Sequence, residues 1–208
     1  SKKLGVSVED FVFSNRERFV LLNDVFNIDA DVFIRTTDLD HIENVKRIWR
    51  LLKEKGDIYP GFYEGWYSIR EESFFKESDL IKKGEDFYTQ FGEKVIWIKE
   101  KYNFFKLSKY SERIISYLRN HPECIKPIER YNEILSLLSS DLEDVSISRS
   151  RTYGIDIEED ETVYVWFDAL FNYLTVSERL DQSPEFIHFI GKDILKFHSV
   201  LWIAILFA

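Results

Sequence analysis

An imidazole, a phenol and two indoles lie in the C-terminal part of the chain at spacings that allow one shared site. Ile194, His198 and Trp202 recur every four residues and therefore share one face of a helix. Trp166 falls in an apolar run, and Tyr173 lies shortly after it. Such a group suits a small, mostly apolar ligand with a soft or polar atom. Alternatively these residues are core, as aromatic stripes at helical spacing usually are.

Two strand–helix units are predicted to position these side chains. Val163–Phe167 is a short apolar run typical of a buried strand. Asp168 is a suitable N-cap for a short helix over Ala169–Thr175. Phe186–Ile190 predicts a second strand.

The second strand ends at a glycine that we expect to be functional. Gly191 can adopt a positive φ and lets a ligand approach the backbone, and Asp193 opens a longer helix. The resulting β-α-β-α order is typical of a parallel sheet with crossover helices. Open sheets of this kind bind ligands outside the carboxyl ends of their strands. We therefore expect an α/β fold with a site at this edge.

Two segments carry a family resemblance. The sequences YVWFDALFNYLT (164–175) and HFIGKDILKFHS (188–199) closely resemble the methionyl-tRNA synthetases, which are class I aminoacyl-tRNA synthetases. The resemblance implies an α/β, Rossmann-like catalytic core with an inserted β-rich connective domain. It also implies that Gly191 and Asp193 face the adenosine of ATP. The methionine pocket that it implies is lined by Trp166, Ala169, Leu170, Tyr173, Ile194, His198 and Trp202.

The chain is expected to divide into three parts. Residues 1–57 read as first-half helices of the catalytic domain, with amphipathic patterns over Val8–Asn27 and Asp38–Gly56. Residues 58–127 resemble the connective insertion, beginning as strand, turn, strand over Ile58–Ser68. Residues 128–208 form the second half of the catalytic domain with the pocket. The Lys-rich, aromatic run Lys94–Lys109 either contacts the acceptor end of a tRNA or forms a solvated sheet face.

The catalytic motifs of the family are missing from this sequence. His41 is followed by isoleucine but not by glycine and histidine, so it does not start the His-Ile-Gly-His signature. Lys106–Lys109 imitates the Lys-Met-Ser-Lys-Ser loop but precedes the pocket instead of following it. We assign neither segment a catalytic role. Without a starting Met or a polar tail, the chain is interpreted as an internal segment that is inactive alone.

Composition limits the classes of function. Hydrophobic residues make up 45% of the 208, enough for a buried core, and the formal charge of −9 argues against a broad nucleic-acid or DNA surface. A single cysteine, Cys124, excludes internal disulfides and multi-cysteine zinc knuckles, so no zinc is expected. No stretch reads as a signal peptide or membrane span, which favours a cytoplasmic protein.

The predicted activity follows from the resemblance. The full enzyme is expected to activate L-methionine with ATP and Mg²⁺ to methionyl-adenylate and to transfer it to the acceptor end of tRNA(Met). Two alternatives remain at this point. The chain could belong to a class I synthetase for leucine, isoleucine, valine or cysteine, or it could be a non-catalytic binding or folding module.

Overall fold

The computed structural model describes residues 5–70, 73–140, 142–150, 153–158, 160–180 and 185–208. Helices and strands are mixed along the chain. The helices are α1 Val8–Phe26, α2 Leu39–Glu54, α3 Ser111–Asn120, α4 Ile128–Leu138, α5 Val165–Leu170, α6 Asn172–Arg179 and α7 Ile203–Phe207. The strands are β1 Ile58–Ser68, β2 Ser73–Phe75, β3 Ile81–Lys83, β4 Asp86–Tyr88, β5 Lys94–Phe105, β6 Val145–Ser146, β7 Ser148–Ser150, β8 Asp156–Glu158 and β9 Glu161–Val163.

The first two predicted helices are confirmed to within two residues at each end. Ser7 caps α1 by accepting a hydrogen bond from the backbone N–H of Asp10, and Asn27 ends the helix in the left-handed region at φ 53°. Asp38 occupies the N-cap position of α2 without a side-chain cap hydrogen bond. Its carboxylate instead accepts from the backbone N–H of Arg35 and thereby fixes the preceding turn.

The larger sheet has the order β2-β1-β5-β4-β3, and β6 also pairs with β5. The predicted strand, turn, strand over Ile58–Ser68 is wrong, because β1 is one continuous strand paired with β5 from Ile58 opposite Phe105 to Tyr67 opposite Ile96. At Gly61 the backbone of β1 passes close to a side chain of β5. A Cβ atom at this position would lie 2.9 Å from the ring of Phe104.

The two strands predicted near the pocket are wrong. The chain is extended only to the end of β9 at Val163, and α5 begins at Val165 because its Phe167 and Leu170 then point together into the core. Phe186–Ile190 has no regular structure, and the ring of Phe189 is 95% exposed. β7, β9 and β8 form a small antiparallel sheet, and the strand pairs of the described chain are all antiparallel, so the parallel β-α-β-α unit is absent from it.

Two local predictions about helix starts are also corrected. Asp168 lies inside α5 with its buried carboxylate against His41, and so it is not an N-cap. The helix predicted from Asp193 begins instead with a 3₁₀ turn over Lys192–Ile194, becomes π-helical over Phe197–Trp202 and ends as α7. π-helical turns are rare overall, and those that occur are often found at functional sites.

The hydrophobic core joins the helices to the end of the long strand pair. Phe167 of α5 lies 5.9 Å from Trp49 of α2 and 6.0 Å from Phe105 of β5, measured between ring centroids. Around these rings pack Ile114, Leu118, Ile134, Leu138, Ile147, Leu201 and Ile205. Helices α2 to α7 and the sheet therefore share one core, to which none of the described residues of α1 contributes. The predicted boundaries after residues 57 and 127 stay a prediction.

In the described part of the chain, no helix is long and apolar enough to cross a membrane.

Substitution of two neighbouring leucines of α4 tests how the core is packed. Leu138 is 2% exposed and Leu137 is 39% exposed. Leu138→Ala is expected to lower the free energy of unfolding by about 3 kcal/mol, because it leaves a cavity in the core. Leu137→Ala, the matched control, should lower it by less than about 1 kcal/mol, since the removed atoms are partly solvated. Urea unfolding measures both, and equal losses would contradict this packing.

Candidate functional site

Tyr173, His198 and Trp202 meet in one ring cluster. The ring of Tyr173, on α6, lies 5.8 Å from that of His198 and 5.7 Å from that of Trp202, both on the π-helical stretch. His198 and Trp202 are buried, and Tyr173 is half-buried. The spacing in the sequence therefore brings together three of the residues that the resemblance placed in the pocket.

A hydrogen-bond chain orients this cluster. His198 Nδ1 lies 3.1 Å from the carbonyl oxygen of Ile194, which only accepts, so Nδ1 carries the hydrogen. In the neutral imidazole Nε2 is then an acceptor, and the Tyr173 hydroxyl, 2.7 Å away, donates to it. The phenol hydrogen is thus directed at His198.

Two residues join the cluster that sequence reasoning did not assign to it. The ring of His188 lies 4.4 Å from Tyr173 and 5.5 Å from His198, and Phe186 stacks on His188 at 5.9 Å. Phe186 and His188 are two positions apart, so an extended backbone turns both rings the same way. This two-residue spacing is the only indication in the sequence that the two rings lie together, and by itself it predicts a strand.

Trp166 takes a different position from the other predicted pocket residues. Its ring stacks on that of Phe197, with centroids 4.6 Å apart and planes at 8°. Phe197 precedes His198, so Trp166 lies beside the ring cluster. Leu170 is 1% exposed and contributes to the core, while Ala169 is half-buried and its carbonyl accepts a hydrogen bond from the Asn172 side chain.

Gly191 lacks the predicted backbone conformation, but the space beside it leaves no room for a side chain. Its φ is −68° and its ψ 153°, so the expected positive φ is wrong. A Cβ atom at this position would lie 2.6 Å from Oδ1 of Asp193, closer than real contacts allow. Any larger residue would displace the Asp193 carboxylate. Both residues are exposed.

A groove of about 570 Å³ adjoins this turn. Lys192, Asp193 and Lys196 line one side, and Glu133 and Leu137 of α4 line the other. The groove presents two ammonium groups, of Lys192 and Lys196, and two carboxylates, of Asp193 and Glu133. It offers charged partners to a polar ligand, whereas the ring cluster offers apolar faces.

Burial shifts the pKa values of Tyr173 and His188. It raises the pKa of Tyr173, so the phenol stays neutral and able to donate. It lowers the pKa of His188, and the positive charge that His198 can carry lowers it further. His188 is therefore neutral near pH 7 and presents a ring without a full charge.

The residues that the structure describes contain no group of three or more histidine, cysteine or acidic side chains placed to hold a metal ion. The expected absence of zinc stays a prediction.

Comparison with known proteins identifies the family. The family described as tRNA synthetases class I (M) matches residues 1–208. A probable mitochondrial methionine–tRNA ligase of Neurospora crassa is 41% identical over 96% of this chain and 36% of its own length. The methionine–tRNA ligase of Rickettsia conorii is 39% identical over 98% of this chain and 42% of its own length. The chain thus spans about two fifths of the length of these curated relatives.

Solved structures agree. Mycobacterium tuberculosis methionyl-tRNA synthetase in complex with methionyl-adenylate has a TM-score of 0.89 and 39% identity to this chain, covering 99% of this chain and 43% of the synthetase. The free form of that enzyme gives a TM-score of 0.85. The predicted class, a partial class I synthetase core of mixed α/β structure, is confirmed. With a family match over its whole length and relatives at about 40% identity, the chain belongs to the methionyl-tRNA synthetases of class I.

Proposed function

We propose that this chain is the methionine-recognising part of a methionine–tRNA ligase, which activates L-methionine with ATP and transfers it to tRNA(Met). The ring cluster around the Tyr173–His198 hydrogen bond carries the proposal. It presents aromatic faces around one hydrogen-bonded pair, formed by residues that the family resemblance assigns to the methionine side chain. The Mycobacterium tuberculosis relative is a complex with methionyl-adenylate, the product of the first step.

The proposed pocket recognises methionine mainly by shape and by aromatic contact. The Tyr173 hydroxyl is committed to His198, so the thioether sulfur meets ring faces and edges, which favour sulfur by about 0.3–1.5 kcal/mol per contact. Leucine and isoleucine branch where methionine is straight, and a narrow site excludes them. The pocket assignment is Trp166, Ala169, Leu170, Tyr173, Ile194, His198 and Trp202.

We assign the nucleotide to the groove beside Gly191 and Asp193. The Asp193 carboxylate is exposed at the turn and can accept hydrogen bonds from the ribose of ATP. Because Gly191 has no side chain, this carboxylate has space beside the backbone. ATP would arrive with Mg²⁺, which neutralises phosphate charge during adenylation. Catalysis of this step is mostly positioning and charge stabilisation. Zinc has no proposed role, and the acceptor end of tRNA(Met) is the proposed macromolecular partner.

The cellular location stays a prediction. We propose the cytoplasm, while the Neurospora crassa relative is described as mitochondrial.

Amino-acid-dependent exchange between pyrophosphate and ATP tests the activity, using protein expressed from the complete reading frame. Exchange is expected with methionine and not with leucine, isoleucine, valine or cysteine. Exchange driven by one of those four would identify another class I synthetase. No exchange with any of the five, in a folded protein, would identify a non-catalytic module.

Tyr173→Phe tests the hydrogen bond at the centre of the pocket. Removing the hydroxyl leaves Nε2 of buried His198 without its donor, so KM for methionine should rise about tenfold, while KM for ATP stays unchanged. Tyr153→Phe is the matched control, because Tyr153 is 58% exposed and lies outside the pocket. The exchange assay measures both constants. An equal rise in the two KM values would contradict the assignment.

Tryptophan fluorescence tests binding directly. Trp202 contacts Tyr173 and Trp166 stacks on Phe197, so saturable quenching is expected on titration with methionine. Leucine and norleucine are the control ligands, and Trp202→Phe locates the signal. The same quenching with all three amino acids would argue against a selective pocket.

A further inference from the structure

A buried polar cluster lies between α2 and the two helices that carry pocket residues. We call it the His41 cluster; its members are His41, Asn44, Asp168 and Thr175. His41 is fully buried, with Nε2 2.6 Å from Oδ1 of Asp168 on α5 and Nδ1 3.2 Å from Oγ1 of Thr175 on α6. The Asn44 side chain donates to the same Thr175 oxygen at 3.1 Å. One imidazole therefore contacts both α5 and α6.

The hydrogen bonds of the cluster are directional. A carboxylate only accepts, so Nε2 of His41 carries a hydrogen toward Asp168. The Thr175 hydroxyl accepts from Asn44, and its own hydrogen serves either Nδ1 of His41 or the carbonyl oxygen of Phe171 at 3.1 Å. Buried polar groups are costly when unpaired, so a shift of either helix along α2 would break bonds that water cannot replace.

The charges of the cluster depend on each other. Burial raises the pKa of Asp168, and the contact with His41 opposes that rise. Removing the imidazole alone would leave the carboxyl buried without its partner, which is far more harmful than removing both groups together.

Two members of the His41 cluster lie close in the sequence to residues of the proposed pocket. Asp168 lies two residues after Trp166 and immediately before Ala169, and Thr175 lies two residues after Tyr173. On a short helix such neighbours move as one body. Ion pairs at the edge of the same interface join Arg179 to Asp40 at 2.5 Å and Arg47 to Glu178 at 2.7 Å, but these side chains are solvated and hold the helices weakly.

We propose that His41 is a positioning residue for methionine recognition: it holds α5 and α6 in the relative orientation that keeps Trp166 and Tyr173 in place against Phe197 and His198. His41 acts through the two helices and does not take part in the chemistry. The inference rests on the proposed methionine pocket and adds to it a specificity role for a residue on α2, a helix far away in the sequence.

The decisive variant replaces both members of the buried pair. His41→Phe with Asp168→Leu removes the directional bonds and leaves apolar groups of similar size, so the melting temperature should stay close to that of the wild type. Calorimetric titration of the protein expressed from its complete reading frame should then show a methionine Kd raised about tenfold or more, with ATP affinity unchanged.

Two further variants complete the experiment. Arg179→Gln removes the two ion pairs with Asp38 and Asp40 at the edge of the same interface and should leave methionine affinity unchanged. Thr175→Val keeps the shape of the side chain, removes only the hydroxyl and should raise the methionine Kd severalfold, which supplies the test if the double variant does not fold.

The outcomes separate the two proposals. If the wild type binds methionine and the double variant binds it equally well, or if Thr175→Val has no effect where the double variant is unfolded, His41 is only a packing residue and this inference is overturned. A parallel loss of ATP affinity also overturns it, because the positioning is then not specific to the methionine pocket. If the wild type does not bind methionine at all, the proposed function fails together with the inference.

Discussion

The packing of Phe167 is the constraint on which the rest of the structure depends. This ring is fully buried and meets Trp49 of α2, Phe105 of β5 and Phe171, which follows α5. Edge-to-face and tilted contacts of this kind are favourable beyond the area that they bury, and they restrict the angle at which two elements can approach. The antiparallel sheet, α2 and α5 are therefore oriented by one ring from each, those of Phe105, Trp49 and Phe167.

This arrangement explains how a partly open ring cluster lies beside a core made of the same residue types. Aromatic side chains in the chain face two environments. Phe167 and Phe171 are enclosed on all sides, whereas Tyr173, His188 and Phe186 contact each other along an edge that is only partly covered. A polar atom on each of Tyr173 and His198 lets that edge form a hydrogen bond, which a purely aliphatic core could not.

Residue patterns were most informative where local physics decides the structure. The amphipathic periodicity of α1 and α2 predicted both helices, because their turn and cap chemistry is local. The patterns failed at Val163–Phe167, where a short apolar aromatic run fits a strand or a buried helix equally well and the choice depends on tertiary contacts. They also failed at Phe186–Ile190, which has no regular structure and leaves Ile187 and Phe189 exposed. The spacing of His198 and Trp202 correctly brought them together, but the two-residue spacing of Phe186 and His188 did not indicate their contacts with Tyr173. Likewise, nothing local connects His41 with Asp168, which lies 127 positions away.

The π-helical stretch over Phe197–Trp202 constrains how the length of this chain can vary. A π-helical turn contains one residue more than an α-helical turn, so the segment behaves like an α-helix with a single added residue. Loss of one residue there would restore α-helical winding and leave the residues that follow facing nearly the same way, because the wider turn accommodates the added residue. Ala204 and Ile205 of α7, both buried, would then still face the core. A deletion at Ile203, where α-helical winding has already resumed, meets no wide turn and would rotate these two residues by about 100°.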